Sequence, residues 1–214
     1  MTESKEADIV LHYAPRTRSF VALWLLEELG VPYRLDSFDL ATGHHKSPEY
    51  LALNPMGKVP VVVDHGTAIS ELGAIALYLA DRYPAAKLAP AIDDADRAAY
   101  LRWVFFASAI IEPAMAEKFG KWDPRPRQHA WGSFDQMLEV ATRGVSGSTY
   151  LLGDRFSAAD VTVSGGLRYA ILFGAIDKTG PIADYVGRVS QRPAFARASA
   201  IEAREGERFP MKKG

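Results

Sequence analysis

Cysteine is absent from this chain of 214 residues. Its absence excludes disulfide scaffolding, cysteine-ligated metals and every mechanism that uses a thiol of the protein itself. Histidine occurs five times, but His44 and His45 are adjacent, and His12, His65 and His129 are scattered. Because no HExxH pattern or comparable metal-binding spacing occurs, we expect no metal site.

Long apolar runs and a charge excess of either sign are also absent. No stretch reaches the length of about eighteen apolar residues that a membrane helix needs. The formal net charge of -1 gives no electrostatic sign of a nucleic acid or an anionic membrane as partner. The first eight residues are polar and mixed in charge, which is unlike a secretory signal, so we expect a cytoplasmic location. The remaining balance, 48% hydrophobic and 24% charged residues, is typical of a globular protein with a substantial core.

The first third of the chain alternates between strand and helix patterns. Apolar runs and turn residues predict strands at 9–13, 33–38, 60–63 and 68–69 and helices at 17–29, 49–53 and 71–80. The order βαβαββα begins with a crossover between parallel strands, which forces a right-handed βαβ unit. The tight turn at 64–67 predicts that the last two strands form a hairpin.

The rest of the chain is predicted to be helical. Apolar spacing predicts helices at 95–118, 126–142, 157–173, 182–190 and 194–204, and no strand pattern follows Asp93. Residues 84–94 are rich in alanine and proline and form the natural linker. We therefore expect an α/β domain over residues 1–84 and an all-helical domain over residues 94–214.

Two short segments have specific local chemistry. Val59-Pro60 follows Gly57-Lys58 at the entrance of a strand. The turn suits a cis peptide bond that leaves the main chain of Val59 open to an extended peptide ligand, and it equally suits a trans proline that begins an edge strand. The sequence Ser157-Ala-Ala-Asp160 predicts a capping box at the start of a helix, which is a structural role.

Several segments resemble the glutathione transferase family, over most of the chain from about residue 9 to about residue 200. They are Tyr13-Ala-Pro-Arg-Thr-Arg-Ser19, Leu25-Leu-Glu-Glu-Leu-Gly-Val-Pro-Tyr33, Asn54-Pro-Met-Gly-Lys-Val-Pro60, Gly73-Ala-Ile-Ala-Leu-Tyr-Leu-Ala-Asp-Arg-Tyr83 and Tyr150-Leu-Leu-Gly-Asp-Arg-Phe-Ser-Ala-Ala-Asp-Val161. The resemblance implies that the first domain is thioredoxin-like and binds glutathione as co-substrate, with no permanently bound cofactor. It also implies a homodimer in which the first domain of one subunit packs on the helical domain of the other.

The resemblance further implies which residues bind the glutathione peptide. Val59, in the turn with Pro60, would hold its central residue through main-chain bonds. Glu71 would pair with the γ-glutamyl ammonium, and the helix amides that follow would bind the γ-glutamyl carboxylate. Leu72 stands where the family usually has serine or threonine, which removes one hydroxyl donor that Ser70 can partly replace. Lys46 and Lys58 are candidates for the glycyl carboxylate, or else ordinary solvated charges.

The reaction requires a thiolate, whereas a free thiol with a pKa near about 8.5 is mostly protonated at neutral pH. A hydroxyl donor and a nearby cation such as Arg18 favour the anion. By resemblance, Tyr13 falls where tyrosine-type transferases carry their sulfur-binding tyrosine, and Arg18 stands where bacterial beta-type enzymes have cysteine. We rank the hydroxyl donors as Tyr13, then Thr17, then Ser19. The alternative for Tyr13 is a core tyrosine at a strand end.

The electrophile site is expected to be apolar and to lie in the helical domain. Trp103, Phe106 and Ile110 recur near helical spacing on the predicted fourth helix, and Tyr169 on a later helix is a further candidate. Such a stripe is also typical of core or of a dimer surface.

The sequence thus predicts a glutathione transferase whose activated thiolate attacks a hydrophobic electrophile. Glutathione-dependent isomerisation, dehalogenation or peroxide reduction on the same scaffold are alternatives, because the fold does not determine the reaction. A binding protein that kept the fold without catalysis is a further alternative. A disulfide reductase that uses its own cysteine is excluded, since the chain has none. We expect no nucleic acid and no membrane as partner.

Overall fold

The computed structural model describes residues 8–210. The first third has the predicted order βαβαββα. Its elements are β1 (Ile9–Tyr13), α1 (Ser19–Leu29), β2 (Arg34–Ser37), α2 (Pro48–Leu53), β3 (Val61–Asp64), β4 (Thr67–Ser70) and α3 (Leu72–Arg82). The first seven residues, in which the sequence predicts no secretory signal, lie outside the described range.

These four strands form one mixed sheet in the order β2-β1-β3-β4. The β1–β2 pair is parallel, and the β3–β4 pair is the antiparallel hairpin that the turn predicts. The register sets His12 of β1 opposite Val61 of β3, and Val61 opposite Ser70 of β4. The segments that follow β1, precede β3 and follow β4 therefore lie at one end of the sheet.

Helices make up most of the remaining described chain. They are α4 (Arg97–Phe106), α5 (Glu112–Gly120), α6 (Phe134–Val145), α7 (Ala158–Leu172), α8 (Pro181–Val189) and α9 (Pro193–Arg208). A π-helical segment at Ala107–Ile111 joins α4 to α5, so the helix predicted at 95–118 is interrupted. It ends two residues before Pro113, which has no N–H for the regular ladder of hydrogen bonds.

The predicted start of a helix at residue 126 is wrong. Helix α6 begins at Phe134, because the Ser133 side chain caps it by accepting a hydrogen bond from the Gln136 amide. The buried carboxylate of Glu117 holds the preceding loop in a non-helical conformation, accepting hydrogen bonds from the Trp131 indole at 3.0 Å and the Phe134 amide at 2.9 Å.

The described chain divides into two compact units. One contains the residues up to Ile75 together with those from Pro193, and the other contains 76–192. The division passes through α3 and returns α9 to the first unit, so it differs from the predicted boundaries of 1–84 and 94–214. Those boundaries, which describe function rather than compactness, stay a prediction.

In the first unit, α9 packs on α1. The ring of Phe195 meets Phe20 and Trp24 edge-to-face, with ring centroids 5.5 and 5.0 Å apart. The Arg197 guanidinium donates a hydrogen bond to the Glu27 carboxylate at 2.6 Å. This packing secures the first helix, whose N-terminal end follows the candidate site loop.

In the second unit, the predicted capping box at the start of α7 is confirmed. The Asp160 carboxylate accepts hydrogen bonds from the amides of Ser157 and Leu151 and from the Tyr185 hydroxyl, each at 2.8 to 2.9 Å. Burial raises the pKa of Asp160, and these donors oppose that rise. The box fixes the start of α7 against the chain before it.

Candidate functional site

The loop between β1 and α1, residues 14–19, contains two of the predicted hydroxyl donors, and we call it the hydroxyl loop. Thr17 Oγ1 lies 2.7 Å from the Ala14 carbonyl oxygen and 2.7 Å from Ser19 Oγ, which itself lies 2.8 Å from that carbonyl oxygen. Each hydroxyl has one proton. Since Ser19 alone can donate to the Ala14 carbonyl, the Thr17 proton can turn to another acceptor.

Solvent exposure distinguishes the three predicted hydroxyl donors. Ser19 is wholly buried, whereas Thr17 is partly exposed. Tyr13 is 0% exposed, and its hydroxyl has no hydrogen-bond partner within residues 8–210. Side chains alternate along β1, and Tyr13 points to the same buried face as Ile9 and Leu11. The position of Tyr13 fits the alternative of a core tyrosine, and Thr17 is the more exposed of the two, while the ranking of the three donors stays a prediction.

Helix α9 holds the hydroxyl loop from the other side. Arg16 has a left-handed φ of 61°, which is strained for a side chain of this size. Its amide donates to Glu202 Oε1 at 2.7 Å, and its guanidinium donates to the carbonyls of Gly206 and Phe209. Burial raises the pKa of the Glu202 carboxyl. Arg18, the predicted cation, lies exposed next to the start of α1.

Residues 54–60, which we call the peptide turn, precede β3. The Val59–Pro60 bond is cis, as one of the two sequence interpretations proposed. The carbonyl of Lys58 accepts hydrogen bonds from the Tyr50 hydroxyl at 2.8 Å and the Asn54 side-chain amide at 2.9 Å. The described chain provides no hydrogen bond to the main-chain N–H or C=O of Val59. Those groups remain available to a ligand.

The two predicted lysines have different surroundings. The Lys46 ammonium donates to the carbonyls of Met56 and Gly57, at 3.1 Å each, and so closes the peptide turn. Lys58 is exposed and makes no ion pair with any residue between 8 and 210. Of the two, Lys58 has the side chain that can pair with a ligand carboxylate without giving up a protein contact.

The segment between β4 and α3 carries the predicted acid. Glu71 has a left-handed φ of 67°, and its exposed carboxylate has no ion-pair partner in the described part of the chain. Helix α3 begins at the next residue, Leu72, so its first amides lie beside this carboxylate. A strained non-glycine residue at a loop tip is typical of a functional position. Ser70 closes β4 opposite Val61.

The second unit contains an apolar pocket of about 440 Å³, within the usual range for small-molecule sites. Its lining residues are Arg102, Phe105, Phe106, Ala109, Ile110, Trp131, Gln136, Met137 and Val140. Of the four residues predicted for an electrophile pocket, only Phe106 and Ile110 lie here. Trp103 does not line the pocket. Its buried ring packs so closely on Gly144 that a Cβ at that glycine would lie 2.2 Å from it.

Tyr169 belongs to a separate surface of the second unit, which we call the aromatic patch. Its ring stacks on Phe173 at 6.1 Å, and Phe173 meets Phe119 edge-to-face at 6.1 Å. Phe119 is 49% exposed and Phe173 66%, and Trp122 and Leu172 are also exposed. Sequence spacing alone did not separate this patch from the pocket, because both include residues from the chain between Arg97 and Gly120.

Sequence reasoning missed the residues that support the site. Tyr50 and Asn54 hold the peptide turn, and Glu202 holds the hydroxyl loop, although Glu202 is far away along the chain. Burial raises the pKa of the Tyr50 hydroxyl, which keeps it protonated as a donor. The only sequence signal for Asn54 is the Asn-Pro turn, and there is no local signal for Glu202.

Within residues 8–210, no group of His, Asp and Glu side chains is arranged to hold a metal ion. No helix in that range combines the length and the apolar character needed to cross a membrane.

Comparison with known proteins shows the family of the chain. The family model of the glutathione S-transferase N-terminal domain matches residues 9–81. Glutathione S-transferase GST-4.5 of Xanthomonas campestris is 30% identical over 158 residues, which cover 70% of this chain and 76% of that protein. The disulfide-bond oxidoreductase YfcG of Escherichia coli is also 30% identical, over 72% of this chain and 76% of that protein.

A solved structure extends the similarity to nearly the full chain. A sphingomonad glutathione S-transferase complexed with glutathione is 28% identical, with a TM-score of 0.75 over 91% of this chain and 98% of its own. The four-stranded mixed sheet and the helical remainder of this chain therefore have the fold of that structure. This chain belongs to the glutathione S-transferase family.

Proposed function

We propose that the protein is a glutathione transferase. It binds glutathione at the end of the sheet where the hydroxyl loop, the peptide turn and Glu71 lie. The observation that carries the proposal is the open main chain of Val59, at the same end of the sheet as the unpaired carboxylate of Glu71. An extended peptide pairs with such main-chain groups as an added strand does. Glutathione is a peptide with an ammonium group at one end and carboxylates at both ends.

Each part of glutathione has a matching group in the first unit. Val59 pairs with the main chain of the cysteinyl residue, and Glu71 pairs with the γ-glutamyl ammonium. The first amides of α3 donate hydrogen bonds to the γ-glutamyl carboxylate, since helix N-termini favour anions. Lys58 pairs with the glycyl carboxylate. Ser70 is a weaker candidate for binding the γ-glutamyl carboxylate, because it belongs to the β3–β4 hairpin.

The Thr17 hydroxyl then donates a hydrogen bond to sulfur, which favours the thiolate over the thiol. The thiol proton passes to solvent. The sulfur lone pair forms a bond to the electrophilic carbon, and the leaving group departs with its bonding electrons. Holding both reactants together supplies the remaining acceleration.

The basic experiment has two stages. Millimolar glutathione is expected to raise the melting temperature, since a ligand that binds only the folded state stabilises it. Release of chloride from a chloronitroaromatic in the presence of glutathione then measures transfer. No thermal shift would contradict glutathione binding.

A non-catalytic binding protein is the second candidate function. The buried Tyr13 favours it, because its hydroxyl is not exposed to a ligand. Leu72 favours it as well, because it lacks the hydroxyl that the family usually has at that position. A thermal shift without any turnover would support it. The oxidoreductase among the relatives suggests a further assay with glutathione disulfides, in which both sulfurs belong to small molecules because this chain has no cysteine.

We propose different roles for the two apolar surfaces of the second unit. The aromatic patch receives the electrophile, since exposed aromatic rings stack on planar aromatic compounds. The pocket with Phe106 and Ile110, flanked by the 60% exposed Phe105, is covered by a second copy of the chain in a homodimer. Phe173→Ala is then expected to raise the KM for the aromatic substrate alone.

Phe105→Glu is expected to yield monomers in sedimentation, and an unchanged dimer would contradict the assignment. The cytoplasmic location stays a prediction.

A further inference from the structure

We infer that Tyr50 is a positioning residue that orients the Val59 amide toward glutathione and sets the place of the peptide turn relative to the hydroxyl loop. The inference rests on the proposed function, and it assigns a role to a residue that does not itself face the ligand. Tyr50 lies in the first turn of α2 and is 1% exposed.

Within residues 8–210, the peptide group between Lys58 and Val59 is held on its carbonyl side only. The carbonyl of Lys58 and the amide of Val59 belong to the same planar unit, in which C=O and N–H point in opposite directions. The Tyr50 hydroxyl and the Asn54 side chain both donate to this carbonyl, at 2.8 and 2.9 Å. Two donors on the inner side therefore fix the direction of the Val59 N–H on the outer side.

Asn54 is itself held in place. It is 2% exposed, and its side-chain oxygen accepts a hydrogen bond from the Met56 amide at 3.0 Å. The main-chain N–H of Asn54 donates to the Tyr50 carbonyl at 2.9 Å. The donors to the Lys58 carbonyl are thus preorganised, so that glutathione does not have to order this peptide group when it binds.

The ring of Tyr50 belongs to a buried apolar cluster with Ala14, Phe38 and Val61, and Val59 packs against that cluster. Ala14 supplies the carbonyl on which the Thr17 and Ser19 hydroxyls converge. The hydroxyl of Tyr50 therefore contacts the peptide turn, while its ring packs in the cluster that supports the hydroxyl loop.

The hydroxyl and the ring of Tyr50 can be tested separately. Loss of the hydroxyl alone releases the Lys58–Val59 peptide group while the ring keeps its packing. Affinity for the glutathione peptide should then fall, whereas the environment of the sulfur should not change. A role in stability alone would lower the melting temperature and leave the affinity as it was.

The test is Tyr50→Phe with Tyr100→Phe as matched control. Tyr100 is equally buried, but its hydroxyl has no hydrogen-bond partner among the described residues. Titration with S-methylglutathione, which lacks the thiol, reports the peptide contacts alone. We expect its Kd to rise about 3- to 10-fold in Y50F, as for a lost buried hydrogen bond, and to stay unchanged in Y100F.

Kinetics supplies the second readout. In Y50F the KM for glutathione should rise with little change in kcat, and the pKa of the bound thiol, followed by thiolate absorbance, should match the wild type. An unchanged Kd in Y50F, or an equal loss in Y100F, would overturn the inference. A wild-type protein that bound no S-methylglutathione would overturn the proposed function first, and the positioning role with it.

Discussion

The hydroxyl loop and the peptide turn lie at the same end of the sheet, but they differ in how their polar groups are used. In the hydroxyl loop, Ala14, Thr17 and Ser19 satisfy one another, so a ligand atom must replace an internal hydrogen bond. In the peptide turn, internal donors fix only the inner carbonyl of Lys58, and the Val59 groups stay open. Under the proposed function, this difference assigns peptide affinity to the peptide turn and thiol activation to the hydroxyl loop.

The most damaging change to the ligand-binding side should be Glu71→Ala. It removes the carboxylate proposed to pair with the γ-glutamyl ammonium, and hydrogen bonds to charged groups contribute about 1.5 to 3 kcal/mol. We therefore expect the Kd for S-methylglutathione to rise about 10- to 100-fold in calorimetry. Glu71→Asp, which keeps the charge, is the control. An unchanged Kd in E71A would place the ammonium elsewhere.

Thr17→Val tests the activating side of the comparison. It removes the hydroxyl that can turn to sulfur, while the β-branched shape is kept. The pKa of the bound thiol should rise by about one unit, and kcat at neutral pH should fall about 10-fold, with the Kd for S-methylglutathione unchanged. The pH dependence of kcat provides the measurement. Tyr13→Phe serves as control, and a similar loss in Y13F would restore Tyr13 as the donor despite its burial.

Features of the fold that depend on a few neighbouring residues could be predicted from the sequence. The Val-Pro turn, the β3–β4 hairpin and the capping box at Ser157 each depend on a few neighbouring residues, and all three are found. The start of α6 was missed because Glu117, distant in sequence, binds Trp131 and the Phe134 amide and so decides where the loop ends.

Burial is the feature that a single sequence conveys least well. Tyr13 and Thr17 are neighbours in a motif with family likeness, and only the register of β1 shows that Tyr13 points into the core. In the same way, Phe106 and Tyr169 are both aromatic residues at helical spacing, yet they lie on different surfaces of the second unit. The fold follows from pattern, whereas the position of a side chain depends on packing.

A smaller effect should separate the two lysines of the peptide turn. Lys58→Met is expected to weaken glutathione binding by up to about 5-fold, since exposed ion pairs contribute at most about 1 kcal/mol. This loss should shrink in high salt, because screening already weakens the pair in the wild type. Lys46→Met removes two bonds to carbonyls of the turn, so its effect should appear in the melting temperature and not depend on salt. Identical salt dependence in both variants would contradict the distinction.

The smallest expected effect concerns the anchor of the hydroxyl loop on α9. Burial raises the pKa of Glu202 in the folded protein, so the protonated form favours folding. This contribution is present below the unfolded pKa and is lost as the pH rises through the folded pKa. Glu202→Gln keeps an acceptor for the Arg16 amide but does not ionise. The variant should therefore gain about 1 to 2 °C in melting temperature relative to wild type at pH 7, and gain less at pH 4.

Glu202→Leu is the counterpart that removes the acceptor, so it should be less stable than Glu202→Gln at both pH values. Because Arg16 lies next to Thr17, loosening its amide should also raise the pKa of bound thiol while affinity for S-methylglutathione is kept. Thermal unfolding and thiolate absorbance measure the two effects in one set of samples. If Glu202→Leu changed peptide affinity and left the thiol unaffected, α9 would support the peptide turn, and the separation of the two segments would fail.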